Sequence, residues 1–315
     1  IGIDLKKLPP LVKSTDKIGS GLTKAAAEKM GLKVGTAVFG GCDDTQAAAI
    51  GSGMNGDGEI HIYLGTSAWV AASSRTKTKF KHGAAAIQSA DPEMNLICGI
   101  TEAAGSNIQW ICDQFFAAEQ KELGDGIYAY MDKVIESIPA GSDHLICTPW
   151  MLGERCPVSS TTTRATLWNV TPNHTREHIM KALYEGIGYN LRWILENFRK
   201  DYKFHCRQFR IIGGGALDDA WMQIIADITG SEFAIVQNPR NAGALGAAII
   251  ALIGLGELKS FAEAKNFVVE SKTYRPNPQN KYIYDELFNS YKQIYYSLEK
   301  TYRKANSKRF EGDEE

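Results

Sequence analysis

Two short interruptions, about twenty residues apart, constrain the fold of this chain more than any other feature of its sequence. The first is Phe39-Gly40-Gly41-Cys42-Asp43-Asp44-Thr45-Gln46-Ala47-Ala48-Ala49-Ile50-Gly51-Ser52-Gly53. Glycines end the apolar run Ala37-Val38-Phe39, two carboxylates follow, and a small-residue helix begins. Aspartates are favoured at a helix start because they accept hydrogen bonds from its free N–H groups at the positive end of the dipole. A capping pair with no other role accounts for these residues taken alone. The second interruption lies in residues 59–70, where Ile60, Ile62 and Leu64 alternate as one face of a strand, Gly65-Thr66-Ser67 breaks it, and Trp69-Val70 resumes. Glycine lets backbone N–H groups approach a phosphate and the two hydroxyls add donors, although an ordinary hairpin turn has the same look. The two together are a rarer coincidence than either alone.

Beyond them the chain alternates short strands with helices. Residues 1–36 carry loops and one helix, over 23–30, which Gly31 stops. A strand over 35–39 leads into the acidic pair, and 84–100 supplies more strands. Residues 105–116 read as a helix with Ile108, Ile111, Cys112 and Phe115 on one face; Gly105 and Gln109 lie one turn apart at its start. Gly153-Glu154-Arg155-Cys156-Pro157 is a loop by its glycine and proline, as readily a surface turn as a functional one. The longest helix signal runs over 174–198, where Ile179, Leu183, Ile187, Leu191, Ile194 and Phe198 form an apolar stripe. Glycine costs about 1 kcal/mol in a helix interior, so Gly186 and Gly188 point first to close approach of a neighbouring backbone and second to a ligand.

Phe209-Arg210-Ile211-Ile212 is a short buried strand, and Gly213-Gly214-Gly215-Ala216 follows it directly before a helix carrying Trp221, Ile224, Ile225 and Ile228. Strand, glycine run and helix bring backbone against a nucleotide. Residues 233–236 give another strand, 242–255 an apolar small-residue helix, and 271–280, with two prolines, a linker. The last helix places Tyr284, Phe288, Tyr291, Tyr295, Leu298 and Tyr302 on a docking stripe, and residues 309–315 read as a frayed end.

With 35 basic against 36 acidic residues, no electrostatic case exists for nucleic acid or an anionic membrane, so an anionic ligand must be held locally. The six cysteines, Cys42, Cys98, Cys112, Cys147, Cys156 and Cys206, are scattered, which argues against a disulfide framework and a zinc site and for reduced thiols in a cytoplasm. No run reaches the roughly 20 apolar residues of a membrane span. The chain opens on Ile1 in a stretch that reads as the middle of something longer, so a fragment, natural or trimmed, is expected.

The Gly65-Thr66-Ser67 hairpin resembles the phosphate-binding hairpin of the sugar-kinase and actin superfamily. Four separated motifs extend that likeness: residues 41–53; Leu64-Gly65-Thr66-Ser67; Gly153-Glu154-Arg155-Cys156-Pro157 through Tyr184-Glu185-Gly186; and Gly213-Gly214-Gly215-Ala216 through Asp227. They occur in the family's order, and the chain resembles the C-terminal part of an FGGY-family carbohydrate kinase, most like the xylulose kinases. The resemblance implies an α/β, actin-like ATPase (ribonuclease H-like) fold, this chain being the C-terminal lobe of a two-lobed sugar kinase. Residues 1–58 would be the tail of the sugar-side lobe, 59–270 the nucleotide-binding lobe, and 271–315 the linker and C-terminal helix. The family's N-terminal phosphate turn and most sugar contacts would lie upstream of Ile1.

The resemblance also implies ATP and Mg²⁺ as cofactors and a small-molecule sugar as substrate, most readily D-xylulose, otherwise another ketose, a polyol or a sugar acid. Family members place the general base seven residues before the first glycine of the small-residue pair; counting back from Gly51 gives Asp44. Asp43, where relatives carry a small residue, would be a cap or a group supporting the base from behind. Gly65, Thr66 and Ser67 would cradle the β/γ-phosphates, Gly105 and Gln109 would border the nucleotide, and Gly214, Gly215 and Ala216 would lie against the adenosine and its phosphates. Asp218 and Asp219 stand where glycerol kinases carry an asparagine near the adenine, and that contact is not carried over. Glu154 and Arg155 match a signature with an expected structural role. The chain alone is expected to be inactive, and its exposed inter-lobe surface to favour dimers or aggregates. A non-catalytic actin-like nucleotide-binding module is the rival reading; it needs the glycine turns but no base.

Overall fold

Alternation of period two builds the centre of the molecule. A computed structural model describes residues 3–76, 81–204 and 208–307. Cys206 and residues 309–315, read above as a thiol and a frayed end, lie outside the described residues. The order opens with α1 (Lys24–Met30), capped by the Thr23 hydroxyl and ended by left-handed Gly31, and α2 (Asp44–Ser52). The strands β1 (Ile60–Leu64), β2 (Ala68–Ser74), β3 (Ala85–Gln88) and β4 (Asn95–Ile100) follow. Next come α3 (Gly105–Phe115), α4 (Ala117–Leu123), α5 (Ile127–Ser137) and a small sheet of β5 (Ile146–Cys147) with β6 (Leu167–Trp168). The chain continues through α6 (Arg176–Tyr202), β7 (Gln208–Ile212), α7 (Asp219–Thr229), β8 (Glu232–Val236), α8 (Ala242–Leu255), β9 (Glu270–Tyr274) and α9 (Lys281–Asn306).

The main sheet has the order β3-β4-β2-β1-β7-β8-β9. Its β1, β7 and β8 are parallel and its other pairs antiparallel. On one face, Ile60, Ile62, Leu64, Ile211 and Phe233 pack into the main core with residues of α3, α5, α6, α7 and α9. On the other, Trp69, Ala71, Leu96, Cys98, Ile212 and Val236 meet Ala48 and Ala49 of α2 and Ala242 of α8. This second layer is thin because its helices nearly touch: a Cβ on Gly51 would lie 1.7 Å from the Ala242 carbonyl oxygen, and one on Gly246 1.9 Å from that of Ala47. Thus α2, on the sequence-derived sugar-lobe side of residue 58, packs directly on α8 of the other segment.

The stripe read in the last helix is an internal docking face: Tyr284, Phe288, Tyr291 and Tyr295 of α9 are buried in the main core. Gly186 marks a close approach, with a Cβ there 1.9 Å from the Cys147 carbonyl oxygen. Two readings need correction. Residues 35–39 form no strand: they pair with residues 17–22 through an isolated bridge, Lys17 to Phe39, and scattered bonds such as Ile18 N to Val38 O at 2.8 Å. Gly19 and Gly21 bend the partner segment through positive φ and prevent a ladder. The linker expected at 271–280 is partly β9, an edge strand on β8; its prolines, Pro276 and Pro278, come after the strand. Among the described residues no helix is long and apolar enough to cross a membrane.

Candidate active site

Two of the glycine turns meet because they end neighbouring parallel strands. β1 and β7 run side by side with Ile62 opposite Ile211 and Tyr63 opposite Ile212. Gly65-Thr66-Ser67 follows β1, and Gly213-Gly214-Gly215 follows β7. A Cβ on Gly213 would lie 2.3 Å from the Leu64 carbonyl oxygen, so the turns are in backbone contact at the carboxyl end of the sheet. Crevices outside the carboxyl ends of parallel strands are where α/β sheets receive ligands.

The first turn is held by the start of α3. Gly105 N donates to Gly65 O at 2.9 Å, and Ala104 N and Ser106 N donate to Thr66 O at 2.8 and 3.1 Å. With its carbonyls so used, the turn keeps its donors: among the described residues the N–H groups and hydroxyls of Thr66 and Ser67 have no hydrogen-bond partner. Thr66 is exposed and Ser67 half-buried. Gly214 and Gly215 are half-buried, and their N–H groups are likewise without a partner among the described residues. Unpaired N–H and O–H groups gathered on two adjoining turns fit a polyphosphate.

The other three residues expected at the nucleotide lie behind or beside these turns. Ala216 has no exposed surface and packs in the main core, where it supports the second turn. Gly105 touches the first turn itself, where a Cβ would lie 2.5 Å from Gly65 O; its N–H is spent on holding that turn. Gln109 is half-buried one turn on, donating to Asp113 at 2.8 Å and accepting from the Tyr128 hydroxyl at 3.1 Å. It lies on the helix that anchors the turn, already engaged by two neighbours.

At α2 the two aspartates separate. Asp43 is the cap: its carboxylate accepts from Gln46 N at 2.9 Å while the Gln46 side chain accepts from Asp43 N at 3.2 Å. Asp44 is exposed, and the only hydrogen bond to its carboxylate among the described residues comes from the adjacent Thr45 hydroxyl at 3.4 Å. This helix start lies over β3 and β4, where Gln46 also donates to the Gln88 carbonyl. Burial, with the Asp43 charge second, pushes the nearby Cys98 thiol up to about 12.

The Glu154 loop is no surface turn. Glu154 is 4% exposed and accepts from Glu102 N at 2.7 Å, Arg155 N at 2.8 Å and Asn190 Nδ2 at 2.7 Å. Burial outweighs these donors and pushes its carboxyl from 4.5 up to about 7. Arg155 grips the same segment from outside, donating to Thr101 O at 2.9 Å and pairing with Glu102 at 2.8 Å. Residues 101–104 connect β4 to α3, so this pair holds the segment that aims α3 at the phosphate-type turn. Asn190 joins it to the C-terminal helix by accepting from Trp150 Nε1 at 3.2 Å and the Tyr291 hydroxyl at 3.1 Å. Sequence reasoning missed Asn190; the available signal was a polar residue in the apolar stripe of α6, between Ile187 and Leu191.

The sequence matches the FGGY family of carbohydrate kinases, C-terminal domain, over residues 60–255. The chain belongs to the FGGY family of carbohydrate kinases. A xylulose kinase of Bacillus subtilis is 34% identical over 298 residues, 94% of this chain and 58% of the relative. A gluconokinase of the same organism is 27% identical over 280 residues, 88% of the chain and 54% of the relative. Among solved structures, the xylulose kinase from Rhodospirillum rubrum superposes with a TM-score of 0.82 at 26% identity, covering 96% of this chain and 59% of that one. This FGGY chain therefore spans somewhat more than half the length of the relatives it matches, and its fold is the actin-like ATPase fold of their C-terminal part. Among the described residues no cluster of His, Cys, Asp or Glu is arranged to hold a metal ion.

Proposed function

We propose that this chain supplies the nucleotide-binding part, and the general base, of an ATP-dependent sugar kinase that converts D-xylulose to D-xylulose 5-phosphate. The observation that carries the reading is the set of unpaired donors on Thr66, Ser67, Gly214 and Gly215 at two adjoining turns. When bound, Mg-ATP supplies the phosphoryl group, with the metal offsetting its charge. The Thr66 and Ser67 amides and hydroxyls bind the terminal phosphates, and the Gly214 and Gly215 amides the inner end of the nucleotide. Glu154 and Arg155 keep α3 set against the first turn. Asp44, free of any capping duty, accepts the proton of the attacking sugar hydroxyl. We place the enzyme in the cytoplasm, where its scattered cysteines stay reduced.

The sugar rests on names alone: the relatives include xylulose kinases and gluconokinases. The test is ADP release by the full-length protein with Mg-ATP and D-xylulose, L-ribulose, gluconate, glycerol or erythritol, beside Asp44→Asn. We expect sharp preference for D-xylulose and a loss of about 10²–10⁴-fold in turnover in the variant with ATP affinity kept. A preference for gluconate would move the substrate assignment. ATP binding without ADP release on any of the sugars would favour the non-catalytic module.

A further inference from the structure

The first turn carries one more hydroxyl than its own sequence supplies. Alternation along β1 sends Ile60, Ile62 and Leu64 into the main core and His61 and Tyr63 to the opposite face, the face covered by α2. There Tyr63 stacks flat on its cross-strand partner Trp69, ring centroids 4.0 Å apart and planes 8° from parallel. The indole is itself fixed, since Trp69 Nε1 donates to His61 Nε2 at 3.2 Å. His61 is 1% exposed and its Nδ1 has no partner, and burial lowers its pKa to about 4, so it stands as a neutral acceptor. A buried, half-satisfied imidazole costs stability, and it is spent on orienting this ring pair.

The phenol end of Tyr63 reaches the turn. A Cβ on Gly65 would lie 2.5 Å from Tyr63 Cε1 and 2.8 Å from its hydroxyl oxygen. Gly65 has no positive φ, so its missing side chain answers a need for room and not for conformation. Tyr63 is half-buried, and among the described residues its hydroxyl has no hydrogen-bond partner. A rigid ring thus holds, against the first residue of the turn that carries the unpaired donors of Thr66 and Ser67, an O–H with no partner among the described residues, on the face of the sheet covered by α2.

We propose that Tyr63 is a ligand-binding residue of this site, its hydroxyl donating a hydrogen bond to a phosphoryl oxygen held in the Gly65–Ser67 turn. The inference rests on the reading of that turn as the phosphate site. Tyr63→Phe tests it cleanly, because it keeps the ring stack and removes a hydroxyl with no partner among the described residues. Two measurements on the full-length protein separate this inference from the kinase reading: steady-state kinetics with D-xylulose, and calorimetric titration of Mg-ATP against adenosine.

A hydrogen bond to a charged group corresponds to about a tenfold to hundredfold change. We expect Tyr63→Phe to weaken kcat/KM for ATP, or ATP affinity, by about that factor, with adenosine affinity and Tm unchanged. Equal ATP affinity and equal kinetics in Tyr63→Phe overturn the inference whatever the enzyme's substrate. Equal loss for ATP and adenosine also overturns it, since the defect would then not lie at the phosphates. If the wild-type protein releases no ADP with any sugar, the kinase reading fails, and selective loss of ATP affinity in the variant still upholds the phosphate contact.

Discussion

At the start of α2, Asp43 and Asp44 stand exposed, one bonded to its helix and the other to little more than the adjacent hydroxyl. In the loop ahead of Pro157, Glu154 is buried and receives three donors from the strand-to-helix segment, its own loop and α6. Both stretches place carboxylates beside glycines, and the sequence offered each a bland and a functional meaning. What separates them is how the protein has already used the oxygen lone pairs. A buried carboxylate with fold-defining donors on both oxygens can position other groups but is shut away from a substrate. One that the fold leaves alone costs no structure when it takes up a proton.

The comparison breaks first, and furthest, at Asp44. Orders of magnitude in turnover should follow its change to Asn, while the melting temperature stays where it was. Had Asp44 carried the fold and Asp43 the chemistry, Asp43→Asn would abolish turnover and Asp44→Asn would not. That exchange of phenotypes, measured on the same sugar panel, is the result that would reverse the register chosen here.

Glu154 should show the opposite pattern. Glu154→Gln keeps one acceptor oxygen but turns the other into a donor, facing either the Asn190 amide or the Glu102 and Arg155 amides. Leaving such buried donors unpaired costs about 1–3 kcal/mol. Part of that loss should appear as a raised KM for ATP with a smaller change in kcat, because the segment Glu154 holds aims α3 at the turn. Unfolding by denaturant and a KM-against-kcat split measure the two halves. A full loss of kcat with normal KM would instead make Glu154 a participant in the reaction.

The sequence made the turns legible and left their partnerships obscure. Gly65-Thr66-Ser67 and Gly213-Gly214-Gly215 stand at strand ends, and parallel pairing of β1 with β7 brings them together as strand–glycine–helix grammar implies. Gly51 served above only as a marker from which to count; in space it meets Ala242, about 190 residues on, to admit α8 against α2. No local pattern announces a contact of that span. Ala216 closes a glycine run and Gly105 stands one turn before Gln109, which is all their sequence context displays; in space, burial of the first and a backbone bond from the second tie both to the scaffold of the turns. β9 was hidden by its prolines, which attract attention to a segment whose strand residues precede them.

A second buried acid sharpens the contrast through pH. Glu185 accepts from Gly141 N and the Ser142 hydroxyl, each at 2.8 Å, and from the Tyr284 hydroxyl at 3.0 Å. Burial pushes its carboxyl from 4.5 up to about 7, although Lys181 and these donors pull the other way. The folded state therefore holds this proton between 4.5 and about 7, where the unfolded chain has released it. The stability it contributes is fully present below the lower value and is lost as pH rises through the upper one, at up to about 1.4 kcal/mol per pH unit. Glu185→Gln, whose amide can donate to Ser142, should melt less steeply with rising pH than the wild type across that window. Parallel melting curves would mean that Glu185 is ionised in the fold.

The smallest effect is expected at Asp43. Its whole described role is the capping box with Gln46, and a cap residue replaced by alanine costs about 1 kcal/mol. Asp43→Ala should therefore lower thermal stability by that amount, and Asp43→Asn, whose side-chain oxygen still accepts from Gln46 N, should restore nearly all of it. Turnover should move only to the extent that fraying of the first turn of α2 displaces Asp44, whose carboxylate is held among the described residues only by the Thr45 hydroxyl of that same turn. A kinetic defect in Asp43→Ala that Asp43→Asn rescues in step with stability would tie the two aspartates together as holder and held. A defect that Asp43→Asn shares would show that the charge of Asp43 itself acts on the site, and the division of labour between the neighbours would fall.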